Sequence, residues 1–218
     1  MGESSADGEI VSTKALRELV VDGVRLRQDL IGSGDNCTGT VLWDSAAVLS
    51  RHLAEVPVAG KTILELGAGC GLVSIKLAQR GARVTATDGD ETVLGNLQHN
   101  LARNSVADKV ATAILKWGAA NLETHRDPFD FIVGSDLLYD PAQYDALLAT
   151  LGALARWPAT TVCVAYRVRH PDAESTFVDA MQSAQFVIES ITSDPQTLIR
   201  VVQFRRSSSS ANSVVLPG

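Results

Sequence analysis

The chain is short of positive charge, cysteine, aromatic residues and long apolar runs, and each shortage excludes something. Its 218 residues carry 19 Lys and Arg against 25 Asp and Glu, a net charge of −6. Phosphate contacts need clustered Lys and Arg, so no nucleic-acid partner is expected. A cationic or neutral partner suits this balance better. The three cysteines, Cys37, Cys70 and Cys163, lie far apart with no CxxC spacing. That excludes a disulfide framework and a zinc site, and a reducing compartment is expected, cytoplasmic or else nuclear. The four histidines, His52, His99, His125 and His170, fall at unrelated spacings and suggest no metal site. No apolar stretch approaches the roughly 20 residues of a membrane helix. The opening MGESSADGEIVSTK has no apolar signal core, so neither membrane insertion nor secretion is expected.

What remains is ordinary for a globular protein: 45% hydrophobic and 20% charged residues. The length suits one domain. Residues 1–14 read as a flexible arm, 15–206 as a single domain (15–40 an N-terminal hairpin and loop, 41–206 the core) and 207–218, with RSSSSANS, as a flexible tail. Asp22-Gly23 between two apolar runs predicts a hairpin. Ala46, Leu49, Leu53 and Val56 recur at helical spacing, with Asp44 placed to cap. From Lys61 onward strands and helices alternate: KTILELG, LVSIKLAQRG, RVTATD, ETVLGNLQHNLARN, KVATAIL, FDFIVGSD, a helix over about 141–155, TTVCVAYR and a helix over 172–184. FVIESIT and TLIRVVQFR close the pattern as an antiparallel pair. Such alternation predicts an α/β fold with a mostly parallel, Rossmann-like sheet covered by helices on both faces.

Between the first core strand and its helix stands ELGAGCG, residues 65–71. Glycines there allow a tight turn and close approach of a ligand. A dinucleotide fingerprint starting at Gly67 and Gly69 would need its third glycine at 72, which is Leu72. A pyrophosphate also wants a helix N-terminus, whereas S-adenosylmethionine has no phosphate. Glu65, the glycines at 67, 69 and 71, and Asp88 at the end of the next strand suit a ribose, an adenine and an amino-acid end. Asp88 can accept from both ribose hydroxyls. Read singly, the loop is a tight turn and Asp88 a helix cap; together they point to S-adenosylmethionine. Trp43 and Trp117 either pack in the core or flank this cofactor.

The strand FDFIVG runs into SDLLYD. Asp140 precedes Pro141 and reads as an N-cap. Asp136 and Tyr139 have no such explanation. If their strand neighbours the glycine-loop strand, both face one crevice at the carboxyl ends of the sheet. A carboxylate and a phenol three residues apart can hold a primary amine, by charge-assisted bonds and by the ring face. Methyl transfer from a sulfonium is an in-line displacement that needs orientation above all, with the amine already deprotonated.

Five stretches taken together resemble the seven-β-strand protein lysine methyltransferases: TGTVLWDSAAVLSRHL, ILELGAGCGLVSI, VTATDGD, LKWG and FIVGSDLLYD. The acid-x-x-Tyr of Asp136 to Tyr139, combined with Trp43-Asp44, is the particular part. The resemblance implies a seven-stranded sheet with an antiparallel last strand. It also implies cofactor contacts from Trp43, Gly67, Gly69, Asp88, Trp117 and Ser135, with Glu65 counted beside them. Asp136 and Tyr139 are then the catalytic pair. The acceptor is a lysine of a protein substrate, of the chaperone or translation-factor type, and the enzyme is expected to be a monomer. YRVRHPDAESTF resembles the family's substrate-side segment, so Tyr166, Arg167 and Arg169 are candidates to touch a target. Three other readings compete. A small-molecule amine or a protein histidine is the acceptor in one. A nucleic-acid base is disfavoured, because Leu137 and Leu138 stand where such enzymes carry prolines. An inactive docking module of the same fold is the third.

Overall fold

Successive residues of a strand point to opposite faces of the sheet, and the core strands here are apolar at both parities. In β3 (Thr62–Leu66), Ile63 enters one apolar cluster while Leu64 and Leu66 enter a second. In β7 (Thr161–Arg167), Cys163 and Ala165 face the first cluster, and Val162, Val164 and Tyr166 the second. Two apolar faces require two helical layers. The first layer is α1 (Asp44–His52), α2 (Leu72–Gln79) and α3 (Glu91–Arg103), which contribute Leu49, Ile75, Leu97 and Leu101. The second is α4 (Tyr144–Leu154) and α5 (Pro171–Ser183), which contribute Leu147, Leu151, Phe177 and Met181. The computed structural model describes residues 16–29, 38–118, 122, 128–156, 158–194 and 196–206. The expected arm and tail, together with Cys37, His125 and Trp157, lie outside the described residues.

The remaining strands are β4 (Arg83–Asp88), β5 (Val110–Ile114), β6 (Phe131–Ser135), β8 (Phe186–Asp194) and β9 (Ile199–Arg206). Their order in the sheet is β5-β4-β3-β6-β7-β9-β8. β5, β4, β3, β6 and β7 pair in parallel, whereas β9 runs antiparallel to both β7 and β8. The expected antiparallel closing strand is thus β9, inserted between β7 and β8. The chain leaves β3 towards β4 and β5, then returns to lay β6 on the other side of β3. Strand order reverses there, which opens a crevice between the carboxyl ends of β3 and β6.

The N-terminal hairpin, β1 (Leu16–Val21) and β2 (Val24–Asp29), turns at Asp22-Gly23 with φ of 49° and 82°. Both central residues are left-handed, as the predicted two-residue turn requires. β2 then docks on α3 through asparagines one helical turn apart. Asn104 accepts from Arg25 N at 3.0 Å and donates to Arg25 O at 2.7 Å; Asn100 does the same to Arg27 at 2.8 and 3.0 Å. Asn96 donates to Arg27 O at 2.9 Å. Four helical residues rise about 6 Å and two strand residues about 6.7 Å. The near match lets helix side chains pair with the strand's outward-facing backbone.

One expectation fails here. Asp44 does not cap α1: Trp43 occupies the cap position without a side-chain cap bond. The Asp44 carboxylate instead accepts from Arg167 Nη2 at 2.5 Å. Asp44 lies one residue inside the helix, and an arginine from β7 claims it. Asp140 does cap as expected, accepting from Ala142 N at 3.0 Å.

Candidate active site

The glycine loop leaves β3 and enters α2 with Gly67, Gly69 and Gly71 at φ of 59°, 53° and 84°. A side chain at Gly69 would place its Cβ 2.9 Å from the carbonyl oxygen of Gly39. The glycine is required there by a crossing backbone as well as by its own dihedral. Asp88 ends β4 beside this loop. Its carboxylate accepts from Gly69 N at 3.2 Å and from Asp90 N at 3.1 Å. Burial pushes its acid strength down, raising the pKa above the ordinary aspartate value, and the backbone N–H bonds partly restore the charged form. Asp90, one turn on, caps α3 by accepting from Thr92 N at 2.8 Å.

Glu65 does not join the cavity as a cofactor ligand, contrary to the sequence reading. Its side chain turns beneath the loop, 1% exposed, and accepts from Ser74 Oγ on α2. Burial pushes the carboxyl up to about 8, against the opposing Ser74 bonds. As a β3 residue it points away from the crevice and ties the strand to the helix that the loop joins.

β6 delivers the other side of the crevice. Asp136 has φ of 58°, while its N–H donates to Ala165 O at 2.7 Å and so continues the β6–β7 ladder. Left-handed backbone is costly for most residues and mild for Asp and Asn. The twist turns the carboxylate into the cavity. Leu137 and Leu138 anchor the segment in the core. Leu137 fills the room left at two glycines: a Cβ on Gly67 or Gly134 would meet its methyls at 2.8 or 2.4 Å. Leu138 O accepts from Tyr144 Oη at 3.0 Å. Tyr139 is left at the mouth, 55% exposed. Its phenol is pushed up by partial burial, then by the charges of Asp140 and Asp88.

These parts enclose one cavity of about 820 Å³. It brings together Trp43, Gly67, Gly69, Asp88, Trp117, Ser135, Asp136 and Tyr139. β4 and β6 flank β3, so Asp88 and Asp136 sit two strand spacings, about 10 Å, apart. The donor set fits S-adenosylmethionine. Asp88 supplies acceptors for a diol. Val93 and Leu115 supply apolar wall beside it, and Trp43 and Trp117 supply ring surface. Among the described residues no three His, Cys, Asp or Glu side chains gather to hold a metal, and no helix is long and apolar enough to cross a membrane.

The substrate-side segment is redistributed. Tyr166 is 1% exposed and belongs to the core. Arg167 is taken by Asp44 and by Thr197 O at 2.9 Å. Arg169 lines the cavity and grips Asp136 with both terminal nitrogens, at 2.7 and 2.9 Å. That bond pairs residues 33 apart, and no spacing in the sequence announces it. The crossing of Gly39 and Thr40 over the glycine loop is likewise silent in the sequence, apart from a glycine flanked by threonines before Trp43.

Comparison with known proteins agrees with this geometry. A family model described as lysine methyltransferase matches residues 23–184. Protein-lysine methyltransferase METTL21E of Mus musculus is 36% identical over 181 residues, 78% of this chain and 72% of that protein. Protein N-lysine methyltransferase METTL21A of Mus musculus is 33% identical over 189 residues, 84% and 83% of the two chains. Among solved structures, SMU.776 complexed with SAH superposes with a TM-score of 0.68 at 12% identity, over 92% of this chain and 58% of that one. The family match spans β2, the glycine loop, Asp88, Asp136 and Arg169, and with it the chain belongs to the lysine methyltransferase family.

Proposed function

We propose that the cavity transfers a methyl group from S-adenosylmethionine, held across Gly67, Gly69 and Asp88, to a lysine amine of a protein substrate presented beside Asp136 and Tyr139. The chain is an S-adenosylmethionine-dependent methyltransferase of the lysine family. The observation that carries the division of labour is the placement of Asp88 and Asp136 on either side of β3 in one continuous cavity. Bound there, S-adenosylmethionine supplies an electrophilic methyl on a sulfonium. The chain's own residues hold and align. Asp88 accepts hydroxyl hydrogen bonds, Trp117 and Trp43 flank the cofactor, and Ser135 lies against it from β6. Glu65 acts one layer down, by fixing β3 to α2. Asp136 orients the acceptor nitrogen, and Tyr139 narrows the entrance. A narrow entrance suits the slender side chain of a lysine on a folded protein, and the relatives' names agree with that acceptor.

Residues 15–206 act as one catalytic unit in this reading, working as a monomer. A chaperone or translation factor with an exposed lysine is the partner type the family resemblance favours. The thiols of Cys70 and Cys163 are buried and free, which suits the cytoplasm or nucleus. The test is methyl transfer from labelled S-adenosylmethionine into a source-cell lysate, resolved by size. Asp136→Asn runs beside the wild type, because Asn tolerates the left-handed backbone where Ala does not. A discrete protein band that requires Asp136 is expected. Label confined to small molecules would replace the protein acceptor with an amine metabolite.

A further inference from the structure

The carboxylate that should meet the acceptor already has a partner. Arg169 Nη1 and Nη2 bind Asp136 Oδ1 and Oδ2 at 2.7 and 2.9 Å, in the two-pronged geometry that suits a guanidinium to a carboxylate. The pair is enclosed: the Asp136 side chain is 8% exposed and that of Arg169 28%. Arg169 is held by two further contacts. Its guanidinium carbon lies 5.8 Å from the Trp43 ring centroid. Its backbone N–H donates to Glu174 Oε1 at 2.8 Å, and the backbone N–H of His170 donates to the same oxygen at 3.1 Å. Glu174 itself is 1% exposed, so the anchor is fixed in the core of α5.

An ammonium brought to Asp136 would sit beside a guanidinium held in place, and like charges at that distance disfavour the protonated form. A neutral amine meets no such repulsion. Each carboxylate oxygen has lone pairs left after one bond to Arg169 and can accept an amine N–H. The geometry points to Arg169 as a positioning residue of methyl transfer: it neutralises Asp136 in place, so that the carboxylate orients a free lysine amine instead of trapping an ammonium. This rests on the lysine-acceptor reading above. The lysine's proton leaves to water before transfer. The nitrogen lone pair then forms the N–C bond as the C–S bond breaks, with its pair kept by sulfur. The methylated ammonium so formed carries a positive charge next to Arg169 and is driven out.

Other charged or titratable groups face this end of the cavity. Within the same cavity, Asp88 stands at the end of β4, Asp90 at the start of α3 and Lys116 just after β5, with Cys70 from the glycine loop and Tyr139 beside Asp140 from the segment after β6. Asp44 is paired with Arg167, and Glu174 and His170 stand at the start of α5. None of them is altered in the test below, so a change in pH dependence reports the Asp136–Arg169 pair.

Two readouts test it on enzyme loaded with S-adenosylhomocysteine or supplied with labelled S-adenosylmethionine. The first is binding of n-butylammonium at pH 7 by ligand-observed NMR. Arg169→Gln is expected to bind it at least about tenfold more tightly than wild type, and Arg169→Lys, which keeps the charge without the two-pronged grip, to fall between the two. Equal or weaker binding in Arg169→Gln overturns the proposal. The second is the pH profile of transfer into the lysate band: in Arg169→Gln the acid limb is expected to move up by about one pH unit, with the rate recovering at high pH. A uniform loss at every pH marks a structural role and also overturns it. Arg169→Met takes the same tests if the Gln variant no longer binds S-adenosylhomocysteine. If wild type labels no protein while the butylammonium contrast holds, the protein-lysine acceptor fails and the cation-excluding role of Arg169 stands.

Discussion

The two halves of the cavity are built from different materials. The half around Asp88 is mostly backbone: three left-handed glycines, a loop carbonyl from Gly39 and N–H groups bonded to one carboxylate. The half around Asp136 is mostly side chain: a carboxylate and a phenol from the segment after β6, an indole from before α1 and a guanidinium from after β7. Backbone geometry can be fixed by local sequence, so the first half is rigid and general. Side chains from distant segments can be exchanged one at a time, so the second half is where a target can be selected.

Substitutions can break the comparison from either side. The largest effect is expected from Asp136→Asn, which keeps the backbone twist and removes the charge. Transfer should fall roughly 100-fold to 1,000-fold through lost orientation, with the affinity for S-adenosylhomocysteine unchanged by calorimetry. Weakened cofactor affinity in that variant would mean that the halves are not separable.

Next is Glu65→Gln, which probes the support beneath the loop. The folded carboxyl, at about 8, keeps its proton where the unfolded one, near 4.5, has lost it. The folded state therefore binds more protons, and stability falls as pH rises across that window. Its contribution is whole below about pH 4.5 and lost through pH 8. Denaturant unfolding at pH 5 and pH 8 should show a loss of up to a few kcal/mol in wild type. The Gln variant should be flat by comparison and the more stable of the two at pH 8. A parallel slope in both proteins would assign the proton to another group.

Asp88→Asn removes a charged acceptor from the cofactor half only. Its expected cost is about tenfold to a hundredfold in S-adenosylmethionine affinity, with kcat restored at saturation. A kcat loss that saturation does not restore would place Asp88 among the groups that align the methyl. The smallest effect is Gly69→Ala. The added methyl meets Gly39 O at 2.9 Å in a backbone that disfavours it. A loss of about 1–2 kcal/mol in unfolding free energy is expected, with weaker cofactor binding and an unaltered preference among acceptors. A change in acceptor preference would show that the loop reaches across to the other half.

The same contrast governs what is legible in the sequence. The alternating strands and helices were legible because their periods are local. The glycine loop and Asp88 were legible because a strand, a turn and the next strand's end stand in fixed succession. Asp136 and Tyr139 were found as residues without a structural reason to be where they are. Their neighbour Arg169 was read only as a surface candidate, since its bond to Asp136 exists only after β6 and β7 pair. Tyr166 belongs to the second core by strand alternation, while of the arginines either side of Val168 one pairs with Asp44 and the other enters the cavity to pair with Asp136. Asp44 reads as a cap until a guanidinium 123 residues away competes for it. Glu65 was grouped with the loop by proximity in sequence, but its strand parity turns it under the loop.

The asparagines of α3 have a bearing on how the protein behaves at high concentration. A strand edge with open N–H and C=O groups invites a foreign strand to add itself. Asn100 and Asn104 answer the outward N–H and C=O of Arg27 and Arg25, and Asn96 answers the Arg27 carbonyl again, so the helix closes the edge of β2 as a third strand would. A small two-stranded unit, weak by itself, thereby has its β2 edge closed against strand addition by three amide side chains spaced four residues apart.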